Sequence, residues 1–260
     1  MSEATVGCPF SGRDGCLAIK DLEKRWGLTL VSFLPHGARE RVKSLQEAMS
    51  AFSCFFPPPA DPEVEFYAPE YLHCTHLTLT RSNAWGPVRG KDFVRPSHQL
   101  FELFDVIHQN SSRMKPLGVT LNHLRMSEDG VSIVLTGICS DDGSTDDRRM
   151  LLGSLNVELK TRFDVAMRPW DIDESKFHKL HCRIAFLKRP LATRPAFRES
   201  LEKLAGELRP ISCTFETITL VHHRYRTLEP PHEGKFEFPL GRDLRAESSA
   251  ATFASQIRMR

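Results

Sequence analysis

Nothing in this sequence marks a protein built for a membrane, for bulk electrostatics or for a disulfide framework. No stretch approaches the roughly 20 apolar residues of a spanning helix, so no membrane partner is expected. The 260 residues carry 35 basic and 33 acidic side chains, a formal net charge of +2. A surface that coats nucleic acid is therefore not expected, and any phosphate recognition must be local. The seven cysteines (Cys8, Cys16, Cys54, Cys74, Cys139, Cys182 and Cys213) are odd in number and lack the close pairs of a zinc site. A reducing, cytoplasmic setting is the simplest one. The opening MSEATVGCPFSGRDGC has neither the charged start nor the apolar core of a signal peptide. Glycine-rich phosphate loops and a Gly-x-Ser-x-Gly elbow are also missing, which leaves P-loop hydrolysis and serine-esterase chemistry without support.

What is present suits an ordinary globular chain, since a hydrophobic content of 40% is enough to fill a sizeable core. Weak periodicity sets apart residues 1–24 as an N-terminal extension and 242–260 as a C-terminal tail expected to be disordered. Residues 25–241 are expected to form one bilobal domain with interleaved lobes.

Periodicity supplies the elements. Leu28 to Leu34 reads as a strand ended by Pro35. Val42, Leu45, Met49 and Phe52 then fall at three- and four-residue steps along one helix face. The prolines of FFPPPADP mark a loop, and strands are predicted at Val64 to Tyr67 and Leu72 to Thr80. From His76 onward one order of elements is written twice. The strand HLTLT is followed by a helix from about Pro96, then by the strands LGVTLNHLRM and VSIVLTGI. The strand HCRIAFL is followed by a helix opened by Thr193 and Pro195, then by the strands TFETITLVHHRY and KFEFPL. Between the copies a helix is predicted from about Thr145 to Phe163. The expected fold class is α+β, a duplicated bilobal arrangement of two antiparallel sheets facing a central cleft, with helices on the outer faces.

Strand alternation decides which histidines share a face. In LHCTHLTLT an unbroken strand puts His76, Thr78 and Thr80 on one face and Leu77 and Leu79 on the other. In LHCRIAFL the same rule puts His181 and Arg183 on one face and Leu180, Cys182 and Ile184 on the other. A slipped register, His73 with Thr75, also fits the spacing, but an unbroken strand would place His73 with Leu77 and Leu79.

These two strands resemble those of the two-histidine phosphoesterases, which include RNA 2′,5′ ligase-like proteins and cyclic nucleotide phosphodiesterases. The signature of that group is His-x-Thr/Ser-x with hydrophobic x, once in each lobe of a duplicated fold. His76-Leu77-Thr78-Leu79 matches it in full. His181-Cys182-Arg183-Ile184 matches except that Arg183 stands where threonine or serine is usual. Counting the flanking elements, the resemblance spans about residues 28–240. It implies a metal-independent, cofactor-free phosphodiesterase that hydrolyses a 2′,3′-cyclic phosphate or a 2′,5′-linked oligonucleotide. His76 and His181 would be the catalytic acid/base pair, with Thr78 and Arg183 binding the phosphate. Opening such a phosphate needs one base and one acid, and imidazole serves as either near neutral pH. The expected ligand is a nucleotide or an RNA end; the division of acid and base between the histidines stays open.

Other readings compete for the same residues. A non-catalytic binder of nucleotides or RNA ends would keep the cleft while Arg183 replaced a catalytic-motif residue. The His-x-x-His spacings, His73/His76 and His178/His181, suggest a metal, but on a strand they send the imidazoles to opposite faces, so no metal ligands are assigned. Adjacent His222 and His223 fail by the same rule. Trp85 and Tyr225 are candidate base-stacking residues, each equally readable as a packing anchor.

Overall fold

The computed structural model describes residues 27–52, 64–80, 97–127, 130, 132–140, 143–163, 178–187, 195–223, 228 and 232–241. The expected extension and tail, Trp85 and Tyr225 lie outside them. In chain order the elements are β1 (Gly27–Phe33), α1 (His36–Ser50), β2 (Val64–Phe66), a 3-10 turn (Pro69–Tyr71) and β3 (His73–Thr80). Next come α2 (Ser97–Ser111), β4 (Leu117–Met126), β5 (Ser132–Cys139), α3 (Ser144–Phe163) and β6 (Lys179–Leu187). The last are α4 (Pro195–Glu207), β7 (Ile211–Phe215), β8 (Thr217–His223) and β9 (His232–Pro239). No helix among the described residues is long and apolar enough to cross a membrane.

The helices form where apolar side chains recur on one face. In α1 the buried positions are Ala38, Val42, Gln46 and Met49, an unbroken stripe at helical spacing. Its one polar member is satisfied: the Gln46 amide donates to the carbonyls of Tyr67 at 2.9 Å and Ile184 at 3.0 Å, tying the helix to the sheet. In α4 the stripe is Phe197, Leu201 and Leu204. In α3, Leu151, Leu152 and Leu155 enter the main core.

The fold is α+β, built on a strongly curled antiparallel sheet. Where two facing sheets were expected, hydrogen bonding runs through one sheet in the order β7-β4-β5-β6-β3-β1-β8-β9, with β2 paired to β6. Two arms meet at its centre. One is β3-β1-β8-β9 and the other β6-β5-β4-β7, and they join through a single residue pair, Cys74 opposite Cys182. The arms are interleaved in sequence, because β4 and β5, which follow β3, belong to the arm of β6. Conversely β8 and β9, which follow β6, belong to the arm of β3.

The predicted strand TFETITLVHHRY is divided. Its first part, β7, pairs with β4 in one arm, and its second part, β8, pairs with β1 in the other. No glycine or proline marks the division at Glu216, whose carbonyl instead accepts a bond from Leu240 N–H at 2.8 Å.

One sheet face packs under the main core. Leu30, Leu34, Cys74, Leu77, Ile133, Leu135, Leu180, Cys182 and Ile184 belong to it. The opposite face carries a separate small cluster of Val31, Val221 and Leu228 with the partly buried Phe33. That opposite face holds the candidate site.

Candidate active site

Pairing of β3 with β1 breaks at His76. Leu30 opposes Leu77 but the next residue, Val31, opposes Thr75, so His76 is an extra residue without a partner of its own. Such a bulge reverses the alternation on its two sides. Cys74 and Leu77, three apart, therefore both face the main core, and His73 and Thr75 are turned to the opposite face. The bulge removes the conflict that an unbroken strand would create between His73 and Leu77.

His73 and His181 come together across the join of the arms. With Cys74 opposite Cys182, antiparallel order sets His73 beside Arg183 and Thr75 beside His181. The two histidines are then diagonal neighbours on one face, a relation that spaces side chains by roughly 7–8 Å. A phosphate group fits between rings at that separation.

The three imidazoles occupy different environments. His73 is 7% exposed, and its Nδ1–H donates to the Tyr71 carbonyl at 2.7 Å. A carbonyl only accepts, so the proton is on Nδ1 and Nε2 carries the free lone pair. The ring also meets Phe33 and Tyr67 edge-on, with centroids 6.0 and 6.1 Å away. Burial first, and the Arg183 charge after it, lower the His73 pKa to about 4 against the opposing effect of the Tyr71 bond.

His181 is exposed to solvent on a crowded part of the sheet. Its pKa is lowered first by desolvation from the surrounding protein, then by the positive fields of Arg183, His73, Arg148 and Arg125. Because the ring is open to water, solvent offsets much of the first effect, and the cationic surroundings are the dependable cause. Arg183 extends from the same face, and its Nη1 donates to Ser132 Oγ at 3.4 Å.

His76 is held elsewhere. It is 3% exposed, and both ring nitrogens are engaged by the protein. Arg148 Nε donates to Nδ1 at 3.3 Å, and Nε2 lies 2.9 Å from Ser32 Oγ. An arginine N–H can only donate, so Nδ1 is bare and the neutral ring carries its proton on Nε2, which donates to Ser32. Ser32 in turn donates to the Thr217 carbonyl at 2.8 Å. Burial first, and then the Arg148 charge, hold the His76 pKa well below its ordinary value, which fits this neutral form. Thr78 lies beyond the bulge, opposite Thr29.

The structure thus brings His181 and Arg183 together with His73 and Thr75, and places His76 in a buried chain with Arg148 and Ser32. Sequence reading passed over Arg148 and Ser32. Arg148 stands three residues before Leu151 and seven before Leu155, on the apolar stripe of α3, and a charge at a core position is the signal that marks it. Among the described residues no three His, Cys, Asp or Glu side chains converge as a metal site.

No protein-family model matches this sequence, and a search of curated proteins finds no match. Solved structures do match. The crystal structure of TT0787 of Thermus thermophilus is similar over 84% of this chain and 100% of that one, at 20% identity and a TM-score of 0.50. The chain shares the fold of that structure. Two further matches have lower scores. A structure described as a phosphoesterase covers 83% of this chain and 95% of its own at 14% identity and a TM-score of 0.47. Escherichia coli LigT complexed with NADP+ covers 83% and 95% at 16% identity and 0.43. In this fold the strands bearing His73 and His181 are the central pair of the sheet.

Proposed function

We propose that this protein is a metal-independent phosphodiesterase in which His73 and His181 transfer protons on a 2′,3′-cyclic phosphate or a 2′,5′-linked oligonucleotide. The observation that supports the reading is the Cys74–Cys182 register, by which both histidines, Thr75 and Arg183 are near neighbours on one sheet face. Matching the arms as two copies of one unit, Leu72-His73-Cys74-Thr75 corresponds to Leu180-His181-Cys182-Arg183, identical in three positions of four. This reading takes His73 and Thr75 in place of His76 and Thr78.

The environments divide the labour. His73 has a fixed tautomer, a free Nε2 lone pair and a neutral ring at pH 7, the state required of a base that takes a proton from water. His181 faces solvent among cations. A bound phosphate neutralises Arg183 and favours the imidazolium, so His181 acquires a proton when ligand arrives and delivers it to the leaving oxygen. The Arg183 fork and the Thr75 hydroxyl hold the phosphoryl oxygens as charge builds on them. The two imidazoles supply both proton transfers, and the scheme assigns no step to a metal.

The test is turnover of adenosine 2′,3′-cyclic phosphate in EDTA by wild type, His73→Ala and His181→Ala. Loss of about 10²-fold or more in kcat in both variants is the expected result. Binding without turnover in the wild type identifies a nucleotide-binding module and overturns the catalytic reading, and loss of activity in EDTA overturns the metal-independent one.

A further inference from the structure

Beyond His181 the arm β6-β5-β4-β7 continues as an exposed face with one sign of charge. Register fixes which side chains share it. Arg125 pairs with Val134 and Val134 with Arg183, so the three lie side by side on neighbouring strands. His123 pairs with Thr136 and Thr136 with His181, a second row. Lys179, Ile138, Thr120 and Ser212 form a third. The β5 members Val134, Thr136 and Ile138 alternate with Ile133 and Leu135, which face the main core, so all three rows are on the site face.

Two features separate this face from an ordinary solvated one. Exposed antiparallel strands usually set opposite charges across from each other, whereas β4, β5, β6 and β7 contain no Asp or Glu at all. The fields of Arg125, Arg183 and Lys179 therefore add. Ile138 is 48% exposed in the midst of these polar residues, an apolar ledge of the kind a sugar or base covers.

We propose that Arg125 holds a second phosphate of the ligand, so that the preferred substrate carries one phosphate between His73 and His181 and another over β4 and β5. The inference rests on the proposed function for the position of the first phosphate. Arg125 and Arg183 are two strands apart, roughly 10 Å between backbones, and their long side chains close that gap to the spacing of neighbouring phosphates. The second group is either an internucleotide diester or a 5′-terminal phosphate, and the chemistry of recognition is the same: a guanidinium fork on phosphoryl oxygens.

The experiment compares kcat/KM for three compounds: adenosine 2′,3′-cyclic phosphate, the same compound with a 5′-phosphate, and a diadenosine dinucleotide ending in the cyclic phosphate. Wild type is expected to prefer at least one two-phosphate compound by about tenfold, and which one is preferred identifies the source of the second phosphate. Arg125→Gln should bring that ratio near one. Arg113→Gln, which removes an equal charge from an exposed position after α2, should leave it. Equal use of all three compounds by the wild type, a ratio unmoved by Arg125→Gln, or one equally erased by Arg113→Gln overturns the inference. If none is turned over, the catalytic reading has failed separately, and the ratio of calorimetric Kd values for the same compounds decides the second site.

Discussion

Cys74 of β3 lies directly opposite Cys182 of β6, and each follows a histidine. Both thiols are fully buried, and the Cys74 thiol is held well above its ordinary pKa, first by its hydrogen bond to Cys182 and then by burial. The pair joins the arms of the sheet and sets the relative position of the two imidazoles. A wider side chain here should disturb both functions at once. Cys182→Leu overpacks the join and is expected to cost about 1–3 kcal/mol in denaturant unfolding, with kcat falling further than stability alone explains.

His76 is expected to behave as a structural residue. His76→Ala leaves Ser32 Oγ and Arg148 Nε without their buried partner, a loss of roughly 1–3 kcal/mol by the cost of unsatisfied polar groups. Its kcat, measured below the unfolding transition, should fall by much less than that of His73→Ala or His181→Ala. A His76→Ala chain that is stable but inactive would restore His76 to the acid/base pair.

Arg183 stands where the other histidine strand has Thr75, and its charge acts on both imidazoles. Its charge lowers the pKa of His73 and of His181, so Arg183→Ala should raise both, which proton NMR titration of the rings reads directly. The same variant should raise KM, by roughly 10- to 100-fold for one lost charged contact. Arg183→Lys should recover the pKa values better than the KM, because an ammonium restores charge without the two-pronged fork.

Acid should unfold this protein through its buried histidines. A group whose folded pKa is depressed binds fewer protons folded than unfolded, so stability is fullest above the unfolded value and declines as pH falls. For His73 the window runs from 6.5 down to about 4, worth on the order of 3 kcal/mol for this buried ring. Denaturation midpoints should therefore drop between pH 7 and pH 4, and His73→Asn should flatten part of that drop. A midpoint unchanged across this range contradicts the buried, neutral state of the ring.

Gly137 tests the packing of the arm β6-β5-β4-β7. A Cβ at this position would stand 2.1 Å from the Thr120 carbonyl oxygen and 2.7 Å from Leu121 Cα. Both obstacles are backbone, beside the break in β4 pairing between Leu121 and His123. Gly137→Ala should cost more than the roughly 0.5–3 kcal/mol of a typical substitution, whereas Gly153→Ala, with open space around it, should be neutral or stabilising.

Most elements were legible because each announces itself locally. The stripe of α1, the proline that opens α4 and the apolar runs of β5 and β6 depend only on side-chain period and backbone chemistry. Half of the site was legible in the same way, since β6 keeps its alternation through Leu180, His181, Cys182 and Arg183. Its counterpart was not. Alternation along β3 favours His76, and it fails because a bulge with no glycine or proline to mark it intervenes. Identity between Leu72-His73-Cys74 and Leu180-His181-Cys182 was the available signal, and it is independent of strand regularity.

Composition and periodicity by themselves determined an α+β chain in which two histidine-bearing strands are each followed by a helix and further strands. Only the tertiary structure decided which histidine of the first strand meets His181, that the expected two sheets join into one, and that TFETITLVHHRY divides between the arms. The physical reason is that face and register in a sheet are set by the neighbouring strand. His76, an extra residue between the partners of Leu30 and Val31, turns His73 and Thr75 to the other face, and the strands β3 pairs with are far away in sequence.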